Sequence, residues 1–191
     1  MKIAITGNRY EGLAGELFNI YPTANFYSRT TGYNLVDDKK DIDRFIKSAC
    51  NKDVVILNSS LYKFGNIILL NQLYEFCVEQ SKYPFIICIG STIDRVKNHN
   101  NSFYGLQKKT LREYCNTLSL IGKDVENKPK ITYISFSTLS DKQDKNPERQ
   151  CIDLEIAAKY IKWLIEQPQH ICINEISIDA MQKDPWKNLT N

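Results

Sequence analysis

The alternation of short apolar strands with longer helical segments constrains this chain more than any other feature. It continues through nearly all of the 191 residues. Hydrophobic periodicity predicts strands at residues 2–6, 25–28, 53–57, 84–89, 130–136 and 171–178. It predicts helices at residues 11–21, 41–50, 66–80, 101–120 and 153–166. Because strand–helix–strand units are right-handed and make successive strands parallel, this order predicts an α/β fold. We expect a doubly wound parallel sheet with helices on both faces.

Length and composition fit one domain spanning residues 1–191. Hydrophobic residues make up 42% and charged residues 25%, which is ordinary for a globular protein. The net charge of +3 is spread along the chain without a basic block, so we expect no nucleic-acid partner. No apolar run reaches membrane length and the N-terminus is too short for a signal peptide. These observations predict no membrane association.

The cysteines and histidines argue against disulfides and metal sites. The six cysteines include no Cys-x-x-Cys pair and fall mostly in predicted helices or strands, which is typical of small buried side chains in a reducing cytoplasm. His99 and His170 lie far apart and lack ligand spacing, so we expect no structural metal.

A glycine turn joins the first predicted strand to the first helix. In a doubly wound sheet the ligand lies at the carboxyl ends of the strands, and glycines there let a pyrophosphate approach the helix N-terminus. The turn residues assigned to cofactor binding are Gly7, Asn8, Arg9, Gly12 and Leu13. The alternative is a plain turn that needs glycine only for its dihedral angles.

The second predicted strand ends in Ser28-Arg29. An acidic residue at this point would hold ribose hydroxyls, whereas an arginine accommodates a 2′-phosphate. Arg9 could reach the same phosphate, and the planar guanidinium suits it. The sequence therefore favours NADP over NAD, the alternative being that both arginines are ordinary surface residues.

Ser91, Tyr104 and Lys108 form the sharpest group of candidate catalytic residues. Ser91 follows a buried strand, and Tyr104 and Lys108 share one face of the next helix. A lysine ammonium lowers the pKa of a nearby phenol, and a serine hydroxyl can orient a substrate oxygen. Of the eleven tyrosines only Tyr104 has a lysine four residues later. An ordinary surface contact within the helix is the alternative.

The chain resembles the short-chain dehydrogenase/reductase family from residue 2 to about residue 178. The glycine turn is similar to the family's Thr-Gly-x-x-x-Gly-x-Gly, and Tyr104-Gly-Leu-Gln-Lys108 is similar to its Tyr-x-x-x-Lys motif. Asn34-Leu35 resembles the pair that contacts adenine, and Asn58-Ser59 resembles the Asn-Asn-Ala-Gly strand end. The resemblance implies a Rossmann-like fold, with Tyr104 as acid–base group, Lys108 as its partner and ribose ligand, and Ser91 as substrate ligand.

The sequence departs from that family in several places. The glycine turn has one extra residue, and Ser135-Phe136-Ser137-Thr138 replaces the family's Pro-Gly. Asn66 and Asn71 are the candidates for the family's catalytic asparagine. The segment between Ser28 and Asp41 is too short for the usual crossover helix, so we expect a sheet that lacks one edge strand.

Two functions fit these observations. The first is an NADP-dependent oxidoreductase that moves a hydride between NADP(H) and a small carbonyl or alcohol. The second is a non-catalytic NADP(H)-binding or sensing protein of the same fold; an epimerase-like role is weaker because no sizeable substrate domain follows. The apolar helix at 66–80, with Ile67, Ile68, Leu69, Leu70, Leu73 and Phe76, also predicts a homodimer packed through helices 66–80 and 101–120.

Overall fold

A computed structural model describes residues 1–61, 63–95, 102–121, 127–145, 147 and 150–181. The strands are β1 (Ile3–Thr6), β2 (Asn25–Tyr27), β3 (Val54–Leu57), β4 (Phe85–Ile89), β5 (Lys130–Phe136) and β6 (Glu175–Ile178). The helices are α1 (Gly12–Ile20), α2 (Lys39–Ala49), α3 (Gly65–Glu79), α4 (Phe103–Ile121) and α5 (Leu154–Ile165). His99, Asn101 and the predicted helix stop at Gly122 lie outside the described residues.

The six strands form one parallel sheet in the order β2-β1-β3-β4-β5-β6. This confirms the predicted doubly wound architecture. The segment after β2 contains only a short 3₁₀ helix, Arg29–Thr31, before α2 begins, and β2 is an edge of the sheet. The predicted shortening by one crossover is therefore confirmed. All five helices fall within about two residues of their predicted bounds.

The last strand is shorter than predicted. It begins at Glu175 rather than at residue 171, and it pairs with β5 along one side only. The preceding segment is held by single contacts, among them the hydrogen bond that the Thr132 hydroxyl donates to the Ile173 carbonyl (2.5 Å). An apolar run at a sheet edge thus packs on the core without continuous pairing.

The core consists of two apolar layers, one on each face of the sheet. One layer joins the sheet to α2, α3 and α4, and its largest fully buried members include Phe45, Leu70 and Tyr133. The other joins the sheet to α1 and α5 through residues such as Leu17 and Ile161. With both faces covered, the polar ends of the strands are where the chain can present ligand-binding groups.

Most of the apolar residues that predicted a dimer through α3 belong to the core of the single chain. Leu69, Leu70 and Leu73 are buried, and Ile67 and Phe76 pack against the same layer. Among these six residues Ile68 is the exposed one, with 52% of its surface accessible to solvent. None of the described helices is long and apolar enough to cross a membrane.

Candidate cofactor-binding and active site

A large cavity opens at the carboxyl ends of the strands, with a volume of about 1370 Å³. One wall is the β1–α1 glycine turn, and the opposite wall carries Ser91, Tyr104 and Lys108. The end of β3 contributes Asn58 and Ser59 between them. Ligand pockets for drug-sized molecules occupy about 300–1,000 Å³, so this cavity has room for a dinucleotide and a small substrate.

The backbone of the glycine turn requires glycine at two positions. Gly7 has φ 137°, and a Cβ there would lie 2.9 Å from Asn58 Nδ2 and 3.0 Å from Ala14 Cβ. Gly12, the first residue of α1, has φ 53°. Both values lie in the region that side chains disfavour. The turn is therefore shaped by its glycines to bring bare backbone to the cavity wall, as a pyrophosphate site needs.

The end of β3 is fixed by two buried polar side chains. Thr6 Oγ1 accepts a hydrogen bond from the Ser59 amide (3.0 Å). Asn66 accepts from the Leu61 amide (2.7 Å) and donates to the Ser59 carbonyl (2.6 Å). Asn66 thus holds the loop that carries Asn58 and Ser59, a role that its position on an apolar helix did not reveal.

The two candidates for a catalytic asparagine have different surroundings. Asn66 lines a small cavity of about 10 Å³ together with Lys108. Asn71 accepts a hydrogen bond from the Tyr114 hydroxyl on α4 and does not line the large cavity. Of the two, Asn66 is the one near the candidate catalytic lysine, Lys108.

The end of β2 lies beside the glycine turn. The Gly7 amide donates to the Tyr27 carbonyl (3.0 Å), and the Thr30 hydroxyl donates to Asn8 Oδ1 (3.4 Å). Ser28 and Arg29 begin this turn, and Arg29 is exposed. The structure thus brings the Ser28–Arg29 turn up to Asn8, at the rim of the large cavity.

The other two residues assigned to the adenosine end have local partners. The Arg9 guanidinium bonds the Tyr10 hydroxyl (2.5 Å) and lies 4.8 Å from the Tyr10 ring centroid. The Asn34 carboxamide oxygen accepts from the Val36 amide (3.3 Å) in its own turn. Neither residue lines the large cavity, and their roles toward a cofactor stay predictions.

The three candidate catalytic residues meet at one end of the cavity. Ser91 and Tyr104 both line it, and the Ser91 side chain lies close enough to the phenol to lower its pKa. Lys108 is buried, donates from Nζ to the Ile89 carbonyl (3.0 Å) and lies 5.7 Å from the Tyr104 ring centroid. The sequence predicts this group from the Tyr104–Lys108 spacing and from Ser91 at the end of the preceding strand, and all three residues line the same cavity.

Loss of solvent contact shifts the pKa of both titratable groups, although Tyr104 stays 43% exposed. It raises the pKa of the Tyr104 phenol, and the Ser91 hydrogen bond offsets part of that rise. It lowers the pKa of Lys108 to about 8, against the opposing effects of Cys88, Asp94 and Cys115. The lowering of the Tyr104 pKa by Lys108 is not among these effects and stays a prediction.

Two side chains behind Ser91 escaped the sequence analysis. Tyr133 on β5 and Asp94 in the 3₁₀ helix Thr92–Arg95 are both buried, and the Tyr133 hydroxyl donates to Asp94 Oδ2 (2.7 Å). A tyrosine in an apolar strand carries no sequence signal of this role, because the contact joins residues 39 positions apart.

The segment after β5 covers the glycine turn in place of a Pro-Gly pair. Ser137, Thr138 and Asp141 line the large cavity. Asp141 Oδ2 lies 3.2 Å from the place where a Cβ of Gly12 would stand, and it pairs with Lys142 Nζ at 2.7 Å. A carboxylate therefore lies at the start of α1, which the sequence analysis did not foresee.

Solved structures share this fold over nearly the whole chain. A short-chain dehydrogenase/reductase from Vibrio parahaemolyticus matches with a TM-score of 0.72 at 15% identity, covering 94% of this chain and 100% of that one. A small-chain dehydrogenase in complex with NADPH matches with a TM-score of 0.72 at 13% identity, covering 94% and 96%. A short-chain dehydrogenase from Leptospira borgpetersenii with bound NAD+ gives 0.68 at 12%, covering 93% and 90%.

The chain therefore has the fold of short-chain dehydrogenases and reductases, which confirms the resemblance at the level of the fold. No model of a protein family matches the sequence, and no curated protein matches it.

Proposed function

We propose that this chain is an NADP(H)-dependent oxidoreductase of the short-chain dehydrogenase/reductase type, acting on a small carbonyl or alcohol. One observation carries the proposal: Ser91, Tyr104 and Lys108 meet across a single cavity from a glycine turn shaped for a pyrophosphate. The fold shared with known dehydrogenases and reductases supports the same function.

The residues present fit a dinucleotide. The glycine turn offers bare backbone at the start of α1, and Asn58 packs against Gly7 at the end of β3. The nicotinamide cofactor supplies the hydride when it is bound. In this proposal Tyr104 moves the proton at the substrate oxygen, Ser91 donates a hydrogen bond to that oxygen, and the Lys108 ammonium binds ribose hydroxyls.

NADP is proposed in preference to NAD because Arg29 stands where β2 ends and no acidic residue takes that place. The Ser28–Arg29 turn reaches Asn8 through the Thr30 hydroxyl, which brings it to the adenosine side of the glycine turn. Structures of this fold include complexes with NADPH and with NAD+, so both nucleotides belong in the test.

Replacement of Tyr104 by phenylalanine tests the chemistry. We expect Tyr104→Phe to abolish NADPH-dependent reduction of small aldehydes and ketones, followed by absorbance, while NADPH affinity by fluorescence stays nearly unchanged. General acid–base catalysis of this kind contributes about 10²–10⁴ in rate. Ser91→Ala should lower the rate and spare binding, whereas Lys108→Ala should harm both.

The matched control is Tyr160→Phe on α5, since Tyr160 is exposed to a similar degree, 41% against 43% for Tyr104. It should leave turnover unchanged. Full activity in Tyr104→Phe, once a substrate is found, would show that the assigned mechanism is wrong.

A non-catalytic NADP(H)-binding or sensing protein is the second candidate, and the replacement of the family's Pro-Gly by Ser135-Phe136-Ser137-Thr138 favours it. The Asp141 carboxylate at the start of α1 bears on both candidates, because like charge disfavours a pyrophosphate and its ion pair with Lys142 offsets that charge. This candidate predicts NADPH binding without Tyr104-dependent turnover of any carbonyl. The same titration and activity measurements therefore separate the two functions.

A homodimer through α3 and α4 and a cytoplasmic location complete the proposal. The homodimer is supported by exposed apolar residues on α4, among them Leu106 (52% exposed) and Leu120 (55% exposed). Six free cysteines, four of them buried, support a reducing compartment.

A further inference from the structure

The backbone that carries Ser91 rests on the phenol of Tyr133. A Cβ added to Gly90 would lie 2.1 Å from Tyr133 Cζ and from its hydroxyl oxygen, so the hydroxyl end of the ring lies directly against the Gly90 backbone. The Ser91 amide donates to that hydroxyl at 3.4 Å. The position of Ser91 at the cavity wall therefore depends on where the Tyr133 hydroxyl is held.

Asp94 holds that hydroxyl. Tyr133 donates to Asp94 Oδ2 at 2.7 Å, and burial and the carboxylate together raise the pKa of the phenol, so it remains a donor. The Asp94 amide in turn bonds the Ser91 carbonyl (3.0 Å). Ser91 is thus fixed at both its amide and its carbonyl by one closed set of contacts.

The second oxygen of Asp94, Oδ1, forms ion pairs but no hydrogen bond among the described residues. The Asp94 side chain is fully buried. Arg112 Nη1 (3.6 Å) and Arg95 Nε (3.8 Å) face it, but Arg95 is committed to Glu175 and Ser135. A buried carboxylate also acts on other cations close to it, because charges interact more strongly where water is excluded.

The Lys108 ammonium is one of those cations. Cys88 on β4, Asp94 after β4 and Cys115 on α4 act on its charge, and the Tyr104 ring centroid lies 5.7 Å from Nζ. The Tyr133 hydroxyl, which bonds Asp94, also bonds the Lys108 carbonyl (3.3 Å), so the Asp94 carboxylate lies beside this turn of α4. Burial raises the pKa of Cys115, which keeps that thiol neutral. Asp94 is the carboxylate among these groups, and its charge opposes the desolvation that would otherwise discharge Lys108.

We propose that Tyr133 and Asp94 are positioning residues of this site: Tyr133 fixes Ser91, and Asp94 both orients Tyr133 and keeps the Lys108 ammonium charged. The catalytic assignment of Ser91 and Lys108 rests on the proposed function. The two contacts themselves do not, because they are hydrogen bonds and charges of the chain alone.

Direct titration of Lys108 tests the electrostatic part without any cofactor. The intact protein is labelled with ¹³C-lysine, the Lys108 signal is assigned with Lys108→Arg, and its shift is followed from pH 6 to pH 11. The wild type should titrate near pH 8, the pKa that burial gives this lysine. In Asp94→Asn the midpoint should fall by about one pH unit, since the nearby negative charge is gone. In Asp43→Asn, an exposed control on α2, it should not move.

Turnover of a carbonyl substrate tests the geometric part. Tyr133→Phe keeps the ring against Gly90 and the Asp94 charge, so the Lys108 midpoint should stay near its wild-type value. The kcat should fall at least tenfold, as in Ser91→Ala, while NADPH affinity is retained. Tyr74→Phe is the control, because Tyr74 also has a buried hydroxyl but lies in the core away from the cavity.

The outcomes separate this inference from the function on which it rests. An unchanged Lys108 midpoint in Asp94→Asn, with only a lower melting temperature, would reduce Asp94 to a structural residue and overturn the inference. Wild-type kcat in Tyr133→Phe would overturn the role of Tyr133. If no carbonyl is turned over by the wild type, the enzyme assignment fails, and the lysine titration still decides whether Asp94 controls Lys108.

Discussion

At the scale of single residues, the groups assigned to the nucleotide and those assigned to the substrate lie on different walls of one cavity. Gly7, Gly12 and Asn58 form one wall of the cavity, and Tyr104 and Lys108 stand on another. The protonation states of the second set depend on burial, which raises the pKa of Tyr104 and lowers that of Lys108 to about 8. The phenol and the ammonium therefore lie close together, but the pKa of the phenol is raised and not lowered.

Arg29 offers a residue-scale prediction about the choice of nucleotide. We expect NADPH to bind at least tenfold more tightly than NADH, because charge-assisted hydrogen bonds to a 2′-phosphate contribute about 1.5–3 kcal/mol each. Arg29→Ala should remove most of that preference without destabilising the fold, since its side chain is exposed. Fluorescence titration with both nucleotides measures it.

Lys47→Ala, an exposed cation on α2, is the control for this substitution. Equal affinities for the two nucleotides in the wild type, or an Arg29→Ala variant that still discriminates, would remove the argument for NADP.

At the scale of elements, the β4–β5 pair determines where Ser91 stands. Gly90 follows β4, its amide donates to the Ile134 carbonyl of β5 (2.7 Å), and the Tyr133 ring from β5 fills the space beside it. The close approach leaves no room for a side chain at residue 90. Glycine is needed at residue 90 because a side chain would clash with Tyr133, and not because of a left-handed backbone, since its φ is not positive.

Gly90→Ala tests this packing. The added methyl would lie 2.1 Å from Tyr133 ring atoms that are fully buried and hydrogen-bonded, so the ring or the strand end must move. Overpacking of this kind costs about 1–3 kcal/mol. We expect that loss in the free energy of unfolding, measured by urea denaturation, together with lower turnover.

Gly32→Ala separates the cost of backbone strain from the cost of a steric clash. Gly32 has φ 80°, but no heavy atom lies within 4 Å of the place that a Cβ would take. A Gly90→Ala protein as stable as the wild type would contradict the packing described for Tyr133.

The sequence predicted elements better than it predicted contacts. Buried β-branched runs such as residues 53–57 identify parallel strands by composition alone, and the Tyr104–Lys108 spacing identifies one helix face. Tyr133, Asp94 and Asp141 were not found, because each acts through a partner brought near by the sheet. A polar side chain inside an apolar strand gives no local sign of which distant carboxylate it will meet.

At the scale of the whole molecule, the question is how much of the surface remains apolar after the chain has folded. On α3 most of the apolar residues behind the dimer prediction are used internally, which leaves Ile68 outside. On α4 the exposed apolar residues lie at the two ends of the helix, Phe103 and Leu106 at its start and Leu120 and Ile121 at its end. The interface proposed for a homodimer therefore depends more on α4 than the sequence implied.

Light scattering at micromolar concentration tests the dimer. We expect a mass twice that of the 22.1 kDa chain, and we expect Leu106→Glu combined with Ile68→Glu to give a monomer, because both side chains are about half exposed and a buried carboxylate at an interface is costly.

Ile156→Glu on α5 is the matched control, with 46% exposure on the other face of the sheet. A monomeric wild type would contradict the dimer, and loss of the dimer in Ile156→Glu alone would move the interface to α5.

The strand order also determines how the protein can be assembled on the ribosome. β1 pairs with β2 and β3, and all three lie within the first 57 residues, whereas β4, β5 and β6 add to one side in the order of their synthesis. The nascent chain can therefore build the β1–α1 turn and its flanking strands before Ser91, Tyr104 and Lys108 have been translated. The sheet then grows in a single direction, and each new strand pairs with a strand that has already been synthesised.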